Sequence, residues 1–264
     1  MNNIALGRYL PLNSIVHKMD PRYKLLSMFI LMVTIFLPSG YIGYVIIGAF
    51  VLLSLLLAKL NFTMIFQAMK PMLFMLVFLT IVNTMVLRTG YVLVDVFGYK
   101  IYSDAIFRTL YITVRLLLMI MVTTILTAST KPLDLTLAIE DLLSPLKRFG
   151  FPAHEIAMMI SIALRFIPTL IDETNRIMKA QASRGVDLKE GSFKEKIVAI
   201  LSLIVPLFVS SFQRAEELAD AMEARGYVPS ATRTRYKQLK HGLKDYVTLG
   251  SVTILLGVII WLSL

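Results

Sequence analysis

The chain has 264 residues, is 57% hydrophobic and has a mean hydropathy of +0.73, too apolar for an ordinary soluble domain. Its formal charge of +10 lies beside and between apolar runs, the pattern of positive-inside membrane topology and not of a nucleic-acid footprint. The lack of cysteine excludes disulfides and thiolate metal sites.

Met1 to Asp20 carries Arg8, Lys18 and Asp20 with no small-residue cleavage pattern behind a short apolar core, so no cleavable leader is expected. Pro21 is placed to start a helix. Arg22 and Lys24 precede the apolar run Leu25 to Leu37, Pro38-Ser39-Gly40 breaks it, and Tyr41 to Leu57 forms a second run. The turn between the runs has no Lys or Arg, whereas Lys59 and Lys70 follow the second, which places the N-terminus in the cytoplasm. A third span is expected over Ile65 to Leu87, with Pro71 near its entry. The loop after it alternates from Tyr91 to Val96 and permits a short strand.

The fourth span, Ala105 to Ala128, contains Arg108 and Arg115, seven apart and so roughly on one face. Arginine is costly inside a bilayer and usually faces protein or water. Arg108 is expected to snorkel at the outer interface, and Arg115 is the candidate for an internal contact.

At Lys131 the composition changes. All of the 17 acidic residues except Asp20, Asp95 and Asp104 fall between there and Asp245, which reads as a long intracellular domain. Pro132 opens a helix that Ser144-Pro145 restarts or kinks before Gly150 stops it. Pro152 opens a long helix ending at Arg184-Gly185, and the linker 186–191 follows. Ser192 and Glu195 form a capping box for a second long helix ending at Arg225-Gly226. Pro168 and Pro206 are expected to kink these helices or to divide each in two. Their apolar halves, Ile156 to Ile167 and Ile197 to Phe212, are short and interrupted for membrane spans and are expected to pack on each other, on the membrane underside or on another membrane protein. The basic run from Arg233 through Lys244 then flanks a last span, Val247 to Leu264, with its bare apolar end outward.

The expected architecture is an all-α membrane protein with about five transmembrane helices and a cytoplasmic helical domain inserted before the last span. The parts are 1–130, with four spans; 131–245, the helical domain; and 246–264, the last span.

The two long helices share one plan: an apolar half, a proline, a charged half, then Arg-Gly. Helical spacing lines up Asp172, Arg176, Ala180 and Arg184 in one copy, and Glu217, Ala221 and Arg225 in the other. An alanine one turn before each arginine lets a partner's surface come close while the guanidinium reaches past it. A C-terminal stop explains either copy alone, because glycine suits the left-handed position and a cation complements the helix dipole. Two matching copies point to two equivalent docking sites, and cap and dock can coexist.

Catalytic chemistry is not marked. Gly185 and Gly191 lack Walker spacing, and His17, His154 and His241 lie far apart without a metal-ligand pattern. Glu216-Glu217 has no ligand set around it. The expected spans lack central carboxylates, which argues against proton or sodium coupling. An autonomous channel or secondary carrier, and a membrane enzyme, remain the other two classes. The first would act alone with both arginines replaced, and the second would need an intramembrane constellation.

The paired Ala-x-x-x-Arg-Gly ends, the proline-interrupted helices before them and the Asp20-Pro21-Arg22-x-Lys24 opening resemble the transmembrane (T) component of energy-coupling factor transporters, over nearly the whole chain. Glu223-Ala-Arg-Gly-Tyr227 is close to the family form, and Ser183 before Arg184 is a mild departure. The resemblance implies a bacterial cell-membrane importer in which two cytoplasmic ATPases, carrying ATP and magnesium, bind this non-catalytic subunit, which holds no cofactor itself. It implies that Ala180, Ser183, Arg184 and Gly185, and Ala221, Ala224, Arg225 and Gly226, dock into the ATPases. It also implies a membrane-embedded substrate-binding S component as the third partner. The Leu12-to-Lys24 lead-in looks like the shared type that serves interchangeable vitamin-binding partners.

Overall fold

Pro21 occupies the first helical position and the Asp20 carboxylate accepts the Arg22 N–H at 2.9 Å, so α1 (Pro21–Phe36) begins where its sequence signals fall. The computed structural model describes residues 9–37, 40–87, 89–96, 99–186, 192–228, 239 and 241–263. After α1 come α2 (Gly40–Ala58), α3 (Phe62–Met69) and α4 (Leu73–Val86). A 3-10 turn at Lys70–Met72 absorbs Pro71, which joins α3 to α4 without a break. The alternating stretch does form a strand: β1 (Val92–Val96) pairs antiparallel with β2 (Tyr99–Tyr102), with a register shift between Val92 and Val94. Next are α5 (Ser103–Ser129), α6 (Pro132–Leu143), a 3-10 turn at Ser144–Phe149, α7 (Ala153–Ser183), α8 (Phe193–Ala224) and α9 (Leu243–Ser263). The regular structure of the described residues is thus helical apart from one small hairpin. Most of the linker after Val186, and most of the basic run before α9, lie outside the described residues.

The chain divides into two compact units, Met1–Ala138 with Leu239–Leu264, and Ile139–Gln238. In the first, α1 packs most extensively on α9, and α5 packs on α1, α2 and α4. Its centre is Ile35 from α1, Ile47, Val51 and Leu55 from α2, and Val252 and Ile259 from α9. α2 shows how a helix apolar all round is used. Tyr44, Ile47, Val51, Leu55 and Ala58 follow helical spacing and are buried, while Ile42, Val45, Leu52 and Leu56 are exposed. One face fills the bundle and the others suit hydrocarbon.

In the second unit α7 and α8 pack on each other. Neither is divided at its proline: both run unbroken, for 31 and 32 residues, through Pro168 and Pro206. A proline removes one backbone bond, and the neighbouring turns on either side keep the helix continuous.

Among the described residues six helices are long and apolar enough to cross a membrane: Gly40–Ala58, Phe62–Val86, Ser103–Ser129, His154–Ser183, Phe193–Ala224 and Leu243–Ser263. This set differs from the expected spans in two ways. With 16 residues, about 24 Å at the helical rise, α1 is shorter than the usual span. α7 and α8 join the set because their prolines do not interrupt them.

Candidate docking ends and intramembrane contacts

The two Arg-Gly ends close in the same way, bond for bond. Arg184 is the C-cap of α7 (φ −89°, ψ 5°) and Gly185 is left-handed (φ +82°). The Gly185 N–H donates to the Ala182 carbonyl and the Val186 N–H to the Gln181 carbonyl, both at 3.0 Å. At α8, Arg225 has φ −87° and ψ 9°, and Gly226 has φ +72°. There the Gly226 N–H donates to Glu223 (2.8 Å) and the Tyr227 N–H to Met222 (2.9 Å). These are Schellman closures, which pair carbonyls a helix end leaves orphaned. A Cβ on either glycine would meet nothing within 4 Å, so backbone conformation and not crowding selects glycine.

Ala180, Ser183, Arg184 and Gly185, like Ala221, Ala224, Arg225 and Gly226, are all exposed. Among the described residues neither arginine has an ion-pair partner. Ser183, where the second copy has Ala224, donates its hydroxyl to the Lys179 carbonyl at 3.0 Å. Its hydroxyl is turned onto its own helix, so the departure changes the presented surface little.

Two ties set the direction of the pair. Gln181 Nε2 donates to the Ser202 carbonyl (3.2 Å), and Arg214 pairs with Glu173 (3.2 Å), which also holds Arg176. As the position on α7 falls from 181 to 173, its partner on α8 rises from 202 to 214, so the helices run in opposite directions. The two Arg-Gly ends therefore belong to opposite ends of the pair. From Ser202 to Arg225 the path along α8 is about 35 Å at the helical rise. On the apolar half of α8, Leu201, Val205, Phe208 and Phe212 are all half or more exposed.

Arg115 has the internal contact its burial cost calls for. Its Nε donates to the Tyr44 hydroxyl at 2.9 Å, and that hydroxyl donates to the Ile35 carbonyl at 3.0 Å. The guanidinium stands 5.1 Å from the Tyr111 ring centre and 5.6 Å from that of Phe36. One cation thereby ties α1, α2 and α5 together. Arg108, two turns earlier, is exposed.

The Asp-Pro-Arg-x-Lys opening is a junction. Asp20 pairs with Arg22 (2.7 Å), and the Arg22 guanidinium donates to the Leu239 carbonyl (3.2 Å). The Asp20 N–H donates to Asp245 Oδ1 (2.9 Å), whose other oxygen accepts the Gly242 N–H (2.8 Å) at the start of α9. The buried Lys24 ammonium donates to the carbonyl of Ser129 (3.0 Å), to Thr130 Oγ1 (3.4 Å) and to the His17 carbonyl (3.5 Å). Asp245 is absent from the sequence reading as a site residue. Its one signal is position, as the last acidic residue before a terminal apolar run. Upstream, His17 Nε2 donates to the Leu10 carbonyl (3.0 Å) and Nδ1 accepts from Ser14 (2.7 Å), an arrangement that fits the neutral ring. Burial, and behind it the charge of Lys24, hold this imidazole below its usual value against the pull of the Leu10 bond.

Among the described residues no group of three or more His, Cys, Asp or Glu is placed to hold a metal ion. Residues 12–236 match the family model of the cobalt transport protein CbiQ. Curated relatives include the energy-coupling factor transporter transmembrane protein EcfT of Staphylococcus aureus, 45% identical over 248 residues (94% of this chain and 92% of that protein). The protein of the same name from Bacillus subtilis is 39% identical over 262 residues, 99% of both chains. That from Lactococcus lactis is 41% identical over 262 residues, 99% of this chain and 98% of its own.

Proposed function

Because the chain belongs to the cobalt transport protein (CbiQ) family, as a multi-pass transmembrane component of the energy-coupling factor type, we propose that it joins two ATPases to a substrate-binding membrane protein. Arg184 and Arg225, each with its preceding alanine and following glycine, are the two ATPase docks. ATP and magnesium belong to those partners, and this subunit performs no catalysis. The 131–245 segment and the N-terminus face the cytoplasm, where the ATPases are.

The observation that carries this reading is the pair of identical, exposed Arg-Gly closures at opposite ends of an antiparallel helix pair. A fixed helix end presenting a guanidinium fork suits an acidic pocket, and charge-assisted bonds made there are the strong ones. Two such ends, separated by a helix length, suit two partner subunits better than one. Closure of the ATPases on nucleotide would displace the ends, and unbroken helices would carry that motion to their apolar halves. The apolar half of α8, half or more exposed at Leu201, Val205, Phe208 and Phe212, is the surface offered to a membrane-embedded S component, with vitamins as the substrate class.

Arg184→Glu and Arg225→Glu test the docks. Each is expected to weaken ATPase binding at least tenfold, corresponding to about 1.4 kcal/mol, while thermal unfolding of the membrane bundle stays unchanged. Alanine at either position should do less. Full affinity in both charge reversals would overturn the docking reading.

A further inference from the structure

Ser27 on α1 is 5% exposed, and its hydroxyl is the one buried side-chain polar atom among the described residues with no hydrogen-bond partner. Neighbouring hydroxyls are turned back on their own helices: Ser54 donates to Phe50 (2.9 Å), Thr248 to Lys244 (2.9 Å) and Ser251 to Thr248 (2.8 Å). An unmade donor in this setting is costly, so Ser27 calls for an acceptor from outside the chain.

Ser27 lines a cavity of about 290 Å³ between α1, α2, α5 and α9. Its walls are largely apolar, with Met28, Leu31, Val51, Leu126 and Val252 among them. Lys24 and Ser129 also line it, but are bonded to each other. Such walls disfavour water, which needs several polar partners. The cavity also reaches Leu53 and Leu57, both exposed on α2, so it opens sideways onto an exposed apolar face of a helix long enough to cross a membrane.

The cavity draws on the first turns of α1 and α9 and the last turns of α2 and α5, all at one end of the bundle. Exposed lysines stand at the same end: Lys18 before α1, Lys59 just after α2 and Lys244 in the first turn of α9. Lys59 is also the one described non-glycine residue with positive φ (+56°), at the left-handed position that closes α2. Glycine would fit that backbone without strain, so a lysine there forgoes stability to keep a charge at this end of the bundle.

We propose that this cavity binds one acyl chain of an anionic phospholipid. The chain fills the apolar chamber, an ester carbonyl accepts the Ser27 hydroxyl, and the phosphate lies among Lys18, Lys59 and Lys244. Lysines near a headgroup plane attract anionic lipid, and the chamber supplies the hydrophobic half of the site.

The test uses the purified full chain in mixed phosphatidylcholine and phosphatidylglycerol vesicles, with a trace of lipid bearing a diazirine on its acyl chain. Crosslinked residues are mapped by mass spectrometry. The phosphatidylglycerol probe is expected to label Leu31, Val51 or Leu126. Ser27→Ala and Lys59→Gly should each lower that labelling at least threefold, leaving exposed Phe74 and Phe78 on α4 labelled as before. Ser251→Leu, which fills the chamber, should abolish it. Lys59→Gly relaxes the backbone, so it keeps the test readable if the filled variant does not fold. Equal labelling by a phosphatidylcholine probe would overturn the anionic headgroup. Labelling by diazirine palmitate alone would replace phospholipid by free fatty acid. Labelling confined to outward faces, or indifferent to Ser27→Ala and Lys59→Gly, would overturn the site itself.

Discussion

Arg115 and Arg184 carry the same guanidinium in opposite surroundings. Arg115 is half-buried and satisfied by Tyr44, Tyr111 and Phe36, so its charge holds three helices together. Arg184 is exposed at the end of a rigid helix, and its surroundings on this chain are spent on shaping the backbone beneath it. That backbone depends on glycine. Gly185→Ala or Gly226→Ala forces a side chain into the left-handed region and should cost about 1 kcal/mol of local stability. The loss should appear as faster hydrogen exchange at Val186 or Tyr227, with the rest of each helix unchanged. His17 gives a pH signature. Its folded pKa lies below the ordinary value of about 6.5, so its contribution is fully present above that ordinary value and is lost as pH falls from there through the lower folded pKa. Thermal unfolding at about pH 7.5 and about pH 5.0 should show an acid loss that His17→Gln reduces.

At the scale of elements, the local signals were legible and the pairings were not. Pro21 after Asp20, the Ser192–Glu195 box and glycine after each arginine act within a few residues, so they can be read along the chain and appear in the structure. That Arg115 needs a partner followed from the cost of burying it. That the partner is Tyr44, 71 residues away, did not, because nothing local links them. The prolines of α7 and α8 left a kink or a division open, and the structure excludes the division: helices more than 30 residues long run through them. The α1–α9 junction was the larger omission. Asp245→Ala would strand the Asp20 and Gly242 N–H groups and remove a countercharge near Lys24. It is expected to cost about 3 kcal/mol, measured by denaturant unfolding in detergent.

Across the whole molecule, the last helix belongs to the unit that contains the first, and the α7–α8 pair forms its own unit between them in sequence. A truncation that removes everything after α5 therefore removes a bundle helix together with both Arg-Gly ends. Deleting 139–238 and bridging Ala138 to Leu239 with a flexible linker separates the two effects. The bundle should keep its cooperative unfolding while ATPase association is lost, read by co-purification of tagged protein from native membranes. A complex assembled from that variant would move the coupling role out of α7 and α8.

The bond from the Asp20 N–H to Asp245 spans 225 residues. At translation rates of about 5–20 residues per second, the two ends are made about 10–45 s apart. Through that interval the start of α1 is in the membrane without the carboxylate it pairs with. The nascent bundle is left open at one seam until α9 arrives, so closure of that seam reports that both Arg-Gly ends, which precede α9, have been synthesised.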